Sequence, residues 1–107
     1  MKHYKICLLI ALVFLLPHGL SAAMVRGRLL IMTPRGAQPA AGIVVTVFSK
    51  QFGRSPPVRS GPNGMYYLYN ISAGIYTLEV WLGPGAAPRP YPIHVREPYT
   101  DVAQIQL

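Results

Sequence analysis

An all-β sandwich is the fold class that this chain of 107 residues predicts, and three observations carry it. From residue 24 onward, proline and glycine fill 19 of 84 positions, and they separate short runs of β-branched and aromatic residues. No ten-residue window has helical periodicity. Second, Gly64-Met65-Tyr66-Tyr67-Leu68 and Gly74-Ile75-Tyr76-Thr77-Leu78 repeat one spacing, with tyrosine two residues after the glycine and leucine two after that. In a period-two pleat this places Tyr66, Leu68, Tyr76 and Leu78 on the inward phase. Third, Asn63-Gly64 follows Gly61-Pro62, and Asn-Gly best tolerates the positive φ angles of a tight hairpin.

The elements follow in order. Lys2 and Lys5 precede an apolar run from Ile6 to Leu16, a Pro17-His18-Gly19 break, and Ser21-Ala22-Ala23. That is the layout of a signal peptide over 1–23, with small residues placed for cleavage before Met24. An apolar run this short falls below the ~20 residues needed to cross a bilayer, so no integral membrane span is expected after processing. Cys7 lies in that run without a small-residue lipobox before it, and 24–107 holds no cysteine. One small domain is expected there, held by apolar packing without a disulfide.

Strands are expected near Val25–Thr33, Ile43–Ser49, Val58–Ser60, Met65–Tyr69, Ile75–Trp81, Tyr91–Val95 and Val102–Leu107. In the first, Val25, Leu29 and Ile31 share a phase opposite Arg26, Arg28 and Leu30, which predicts one packed and one wet face. Gly83 to Pro90 reads as a surface loop, since prolines lack a ladder donor and ordered glycines lose entropy. Seven short strands at this spacing predict two stacked sheets.

The order of these segments resembles the carboxypeptidase regulatory-like domain over Met24 to Leu107. The features that carry it are Gly27, Pro39-Ala40-Ala41-Gly42 before Ile43-Val44-Val45-Thr46-Val47, and the Asn63-Gly64 hairpin with Tyr66 and Leu68. Asn70-Ile71-Ser72-Ala73-Gly74-Ile75-Tyr76-Thr77-Leu78 then completes the series. The resemblance implies a seven-stranded, prealbumin-like Greek-key β-sandwich, found as a non-catalytic accessory module on exported proteins. It says little about function, because the matching positions belong to the scaffold.

The residue inventory argues against catalysis. Beyond residue 23 the chain carries one histidine (His94), one aspartate (Asp101) and two glutamates (Glu79, Glu97), too few for a metal site or an activated nucleophile. Ser72, His94 and Asp101 have no spacing that supports a triad. Hydroxyisourate hydrolases share the transthyretin-like sandwich but use several histidines and a C-terminal tetrapeptide, whereas this chain ends Gln104-Ile105-Gln106-Leu107. Lys50 sits in a loop, not at the buried position a lysine–asparagine cross-link requires. No catalytic residue, metal ligand or cofactor is expected, and Asn70-Ile71-Ser72 is a glycosylation sequon only in a eukaryotic source.

Lys50 and seven arginines stand against three acidic side chains, a net charge of +5 for residues 24–107. The arginines are dispersed, unlike a nucleic-acid footprint, so no nucleic-acid partner is expected. Arg54 and Arg59 flank Ser55-Pro56-Pro57-Val58 and are the candidates for an acidic partner. Tyr67, Tyr69 and Trp81 fall on the outward phase and are candidates for stacking on sugars or for an interface. The expected protein is periplasmic or secreted, a module that binds a protein partner or an envelope polysaccharide. The alternative is a structural or assembly subunit acting by self-association or docking.

Overall fold

The inward phase read from the two tyrosine-bearing segments is the one the chain buries: Tyr66, Leu68, Tyr76 and Leu78 are 1%, 1%, 5% and 0% exposed. The structure, a computed structural model, describes residues 22–107. The signal peptide expected over 1–23 falls, up to residue 21, outside the described residues. Within them are ten strands: β1 (Ala23–Thr33), β2 (Gly36–Pro39), β3 (Val44–Ser49), β4 (Gly53–Arg54), β5 (Val58–Arg59), β6 (Met65–Ile71), β7 (Gly74–Trp81), β8 (Arg89–Val95), β9 (Tyr99–Asp101) and β10 (Ile105–Gln106).

They form two five-stranded sheets. In the first, β1 is central, with β6 antiparallel along its first half and β2 along its second, while β9 and β10 run parallel to it. In the second, β3 lies between β7 and the pair β4 and β5, and β8 closes the far side of β7. The chain crosses between sheets after β2, β5, β6 and β8, which makes an all-β sandwich. Val25, Leu29, Leu68, Val45, Val47, Leu78, Val80 and Val95 fill the space between the sheets. Each such side chain is worth about 2 kcal/mol relative to exposure, and residues 24–107, which hold no cysteine, rely on this packing in place of a disulfide.

Four expectations are corrected. Ile31 is 45% exposed, because β1 past Leu29 runs on with β2 as a hairpin that projects beyond the core. Strands β2 and β4 carry no apolar alternation, and they exist because their backbones complete the edges of β1 and β3. Of the expected last strand, Val102–Leu107, only β10 forms, with Val102 to Gln104 outside the ladder, while β9 lies just before it where no strand was expected.

Pro90, expected in a surface loop, sits in the β8 ladder opposite Glu79, and Pro92 sits opposite Thr77. Neither proline has an amide, so these are the non-hydrogen-bonded pairs, and the missing donors face away from β7. Only an edge strand tolerates this.

Tyr66 fills the core opposite Gly27, but its phenol oxygen is buried without a hydrogen-bond partner, and burial pushes its pKa up. A buried hydroxyl without a partner costs its desolvation. Tyr66→Phe is therefore expected to leave stability unchanged or raise it by about 1 kcal/mol. The denaturant midpoint reads this directly, and a clear drop would mean that the hydroxyl is satisfied.

Candidate functional site

The outer face of the second sheet holds a connected polar cluster. The β3–β7 register sets Thr46 opposite Glu79 and Val44 opposite Trp81, and the β3–β4 register sets Phe48 opposite Arg54. These residues alternate with Val45, Val47, Leu78 and Val80, so they project away from the core. Thr46 Oγ1 donates to Glu79 Oε1 at 2.7 Å. Arg54 grips the same carboxylate with both ends of its fork, Nε to Oε1 at 2.7 Å and Nη2 to Oε2 at 3.0 Å. Trp81 Nε1 donates to Thr46 Oγ1 at 2.9 Å. The Arg54 guanidinium also lies 5.1 Å from the Phe48 ring centre and 5.8 Å from that of Trp81.

Glu79 is 8% and Thr46 3% exposed, although they lie on a solvent-side face, because Arg54 and Trp81 cover them. Hydrogen bonding by Arg54 holds the Glu79 carboxyl below its ordinary value, with Thr46 adding to this against the opposing effect of burial. The guanidinium is raised in return by the same bond. Chemically the cluster is a bidentate ion pair capped by aromatic rings.

Its effect on the expected binding residues is direct. Arg54 is already paired, and Trp81 has its one donor engaged. Arg59 donates Nη1 to the Gly42 carbonyl at 3.1 Å. Arg59 and Trp81 line a hollow of about 480 Å³ with Ile43 and Leu82. Tyr67 and Tyr69 stand on β6, in the other sheet, with ring centres 6.4 Å apart and planes 16° apart. The Asn70–Ala73 corner thus divides the three aromatics, and Trp81 shares no face with the tyrosines. Tyr69 meets Arg54 only at the end of the sandwich, where both border a hollow of about 420 Å³.

The remaining polar residues are similarly distributed. His94 is exposed on β8, and its Nδ1 faces the Arg96 guanidinium. Asp101 is ion-paired with Arg26, whose guanidinium lies 4.6 Å from the Tyr99 ring centre. His94 and Asp101 border a groove of about 550 Å³ between β8 and the β9–β10 edge, whereas Ser72 borders the hollow beside Tyr69. Among the described residues, no three of His, Cys, Asp and Glu come together as a metal site. Lys50 is exposed in the turn after β3.

Sequence reasoning missed Thr46 and Glu79 as partners of Arg54. The available signal was two polar residues on the outward phase of otherwise apolar strands, a pattern that calls for a covering group.

No protein-family model matches the sequence, and a search of curated proteins finds no match. Solved structures do match. The TIE protein of Bacillus anthracis aligns with 80% of this chain at 18% identity and a TM-score of 0.61. The minor pilin of Streptococcus agalactiae aligns with 80% at 12% identity and 0.55, and the major pilin subunit of Bacillus cereus with 79% at 13% and 0.53. The likeness is one of fold. This chain spans 16%, 44% and 29% of the lengths of those three chains, so it matches a part of each.

Proposed function

We propose that this chain is a structural or assembly subunit of the cell surface or envelope, acting through protein–protein contacts without catalysis. The observation that carries this reading is the sandwich shared, over about four-fifths of the chain, with two pilin subunits and a further bacterial protein. A second support is the way the would-be ligand groups are used: Arg54 holds Glu79, Trp81 holds Thr46, and the tyrosines stand apart on the other sheet. In this reading residues 1–23 are removed on export and 24–107 work outside the cytoplasm. The segment order that resembles the carboxypeptidase regulatory-like domain fits an accessory module of that kind.

Fractionation of the producing cell with mild cross-linking tests the reading. The expected result is a processed protein in the envelope or extracellular fraction, cross-linked into species larger than one chain. A free monomer in every fraction overturns it. The carbohydrate reading makes the opposite demand: retention on envelope polysaccharide, lost in Trp81→Ala and Tyr67→Ala.

A further inference from the structure

Unpaired amides and carbonyls make a strand edge a template for another strand. Most edges of this sandwich are blunted. β8 offers no amides at Pro90 and Pro92, β4 and β5 are short and separated by Pro56-Pro57, β2 ends on Pro39, and β9 and β10 are discontinuous. β6 differs.

Its register with β1 pairs Leu68 with Val25 and Tyr66 with Gly27, and Leu29 N donates to the Gly64 carbonyl at 2.8 Å. Residues 64, 66 and 68 therefore direct their backbone groups at β1, and residues 65, 67 and 69 direct theirs outward. Met65 is already served: its amide donates to Asn63 Oδ1 at 3.0 Å and its carbonyl accepts from Gly61 N at 2.9 Å. Asn70, at φ 59°, ends the extended run. What remains open is the amide and carbonyl of Tyr67 and of Tyr69, since β6 pairs with β1 alone among the described strands.

We infer that this open stretch pairs with the same stretch of a second copy, antiparallel about a twofold axis through Leu68. The inference rests on the assembly reading above and names its partner. In that register Tyr67 faces Tyr69 of the second copy, and the two such pairs satisfy every open group on both chains.

Three features favour a second copy. The stretch complements itself in number and spacing. Opposed tyrosines extend the stack already formed by Tyr67 and Tyr69, and aromatic cross-strand pairs are stabilising. Charge does not oppose it, since Met65 to Ser72 carries none, and Arg26 is neutralised by Asp101. The Arg28 residues of the two copies stand three strand spacings apart across the seam, about 14 Å, and about 20 Å apart along it, well beyond a Debye length of about 8 Å. So short a seam buries less than the ~1,200 Å² of a stable interface, which places it in the transient class.

Sedimentation velocity and amide hydrogen exchange from about 10 μM to about 1 mM, on the 24–107 chain isolated after export, test the inference over the range of weak association. Dimer formation is expected together with rising protection of the Tyr67 and Tyr69 amides. Tyr67→Lys with Tyr69→Lys is expected to raise the half-association concentration about tenfold or more, through like charges facing across the seam. Unchanged protection of the Val47 and Val95 amides shows that the variant is folded. Dimers that leave Tyr67 and Tyr69 exchanging freely overturn the inference while sparing the assembly reading. A monomer at 1 mM overturns it too, as does protection that appears only with a foreign envelope protein.

Discussion

Gly64→Ala is expected to cost about 4 kcal/mol, a large share of the 5–15 kcal/mol that holds a domain of this kind folded. Gly64 has φ +80°, a conformation that charges an alanine about 1–2 kcal/mol. Space is the larger problem. A Cβ there would collide with the Leu29 carbonyl oxygen and lie 3.3 Å from Ala40 N and Pro39 Cα. Those are backbone atoms, tied down by bonds from Leu29 N to Gly64 O at 2.8 Å and from Ala40 N to Leu29 O at 2.9 Å. Relief requires breaking the junction where β1, β2 and β6 meet. Gly85 supplies the control, with φ +78° and nothing near its missing Cβ. Its alanine variant is expected to lose only about 1 kcal/mol. Urea unfolding with the slope held constant measures both. Equal losses at the two sites would show that crowding at Gly64 contributes nothing.

Glu79→Ala is expected to cost about 2 kcal/mol at neutral pH, because it removes an acceptor of charge-assisted bonds that is nearly buried. The pH dependence has a definite sign. The carboxyl is lowered in the folded chain, chiefly by Arg54, so its contribution is present above the unfolded carboxylate value near 4.3. It disappears as the pH falls through the lower folded value. Wild type and Glu79→Ala are therefore expected to converge in acid. Arg54→Ala should show the same convergence, whereas Arg59→Ala stays within about 0.5 kcal/mol at every pH. Trp81, the sole tryptophan, reports unfolding by fluorescence. A pH-independent gap for Glu79→Ala would mean that the carboxylate is not what the cluster relies on.

Much of the fold was legible in the sequence because its signals are local. A continuous β-branched run marked β3, alternation marked β6 and β7, and the Asn63-Gly64 dipeptide marked the entry to β6. What sequence could not provide depended on neighbours. Gly36–Pro39 is exposed and apolar only in part, so nothing identifies it as a strand until β1 is beside it. Ile31 has the phase of a core residue but sits where no second sheet faces it. Pro88 and Pro90 argued for a loop as far as residue 90, and only an edge position admits Arg89 and Pro90 to β8. At the candidate site, the outward direction of Tyr67, Tyr69 and Trp81 followed from alternation, but their separation followed from a crossover invisible in spacing. Arg54 was read as a free charge because its carboxylate lies 25 positions along the chain.

Pro90 and Pro92 have a consequence for crowding. Pro90 and Pro92 accept but cannot donate, so a strand laid against this border meets a broken ladder, and copies of the fold do not zip together there without limit. Valine would suit that segment better by intrinsic preference, and would turn a terminating rim into a seed for fibrous growth.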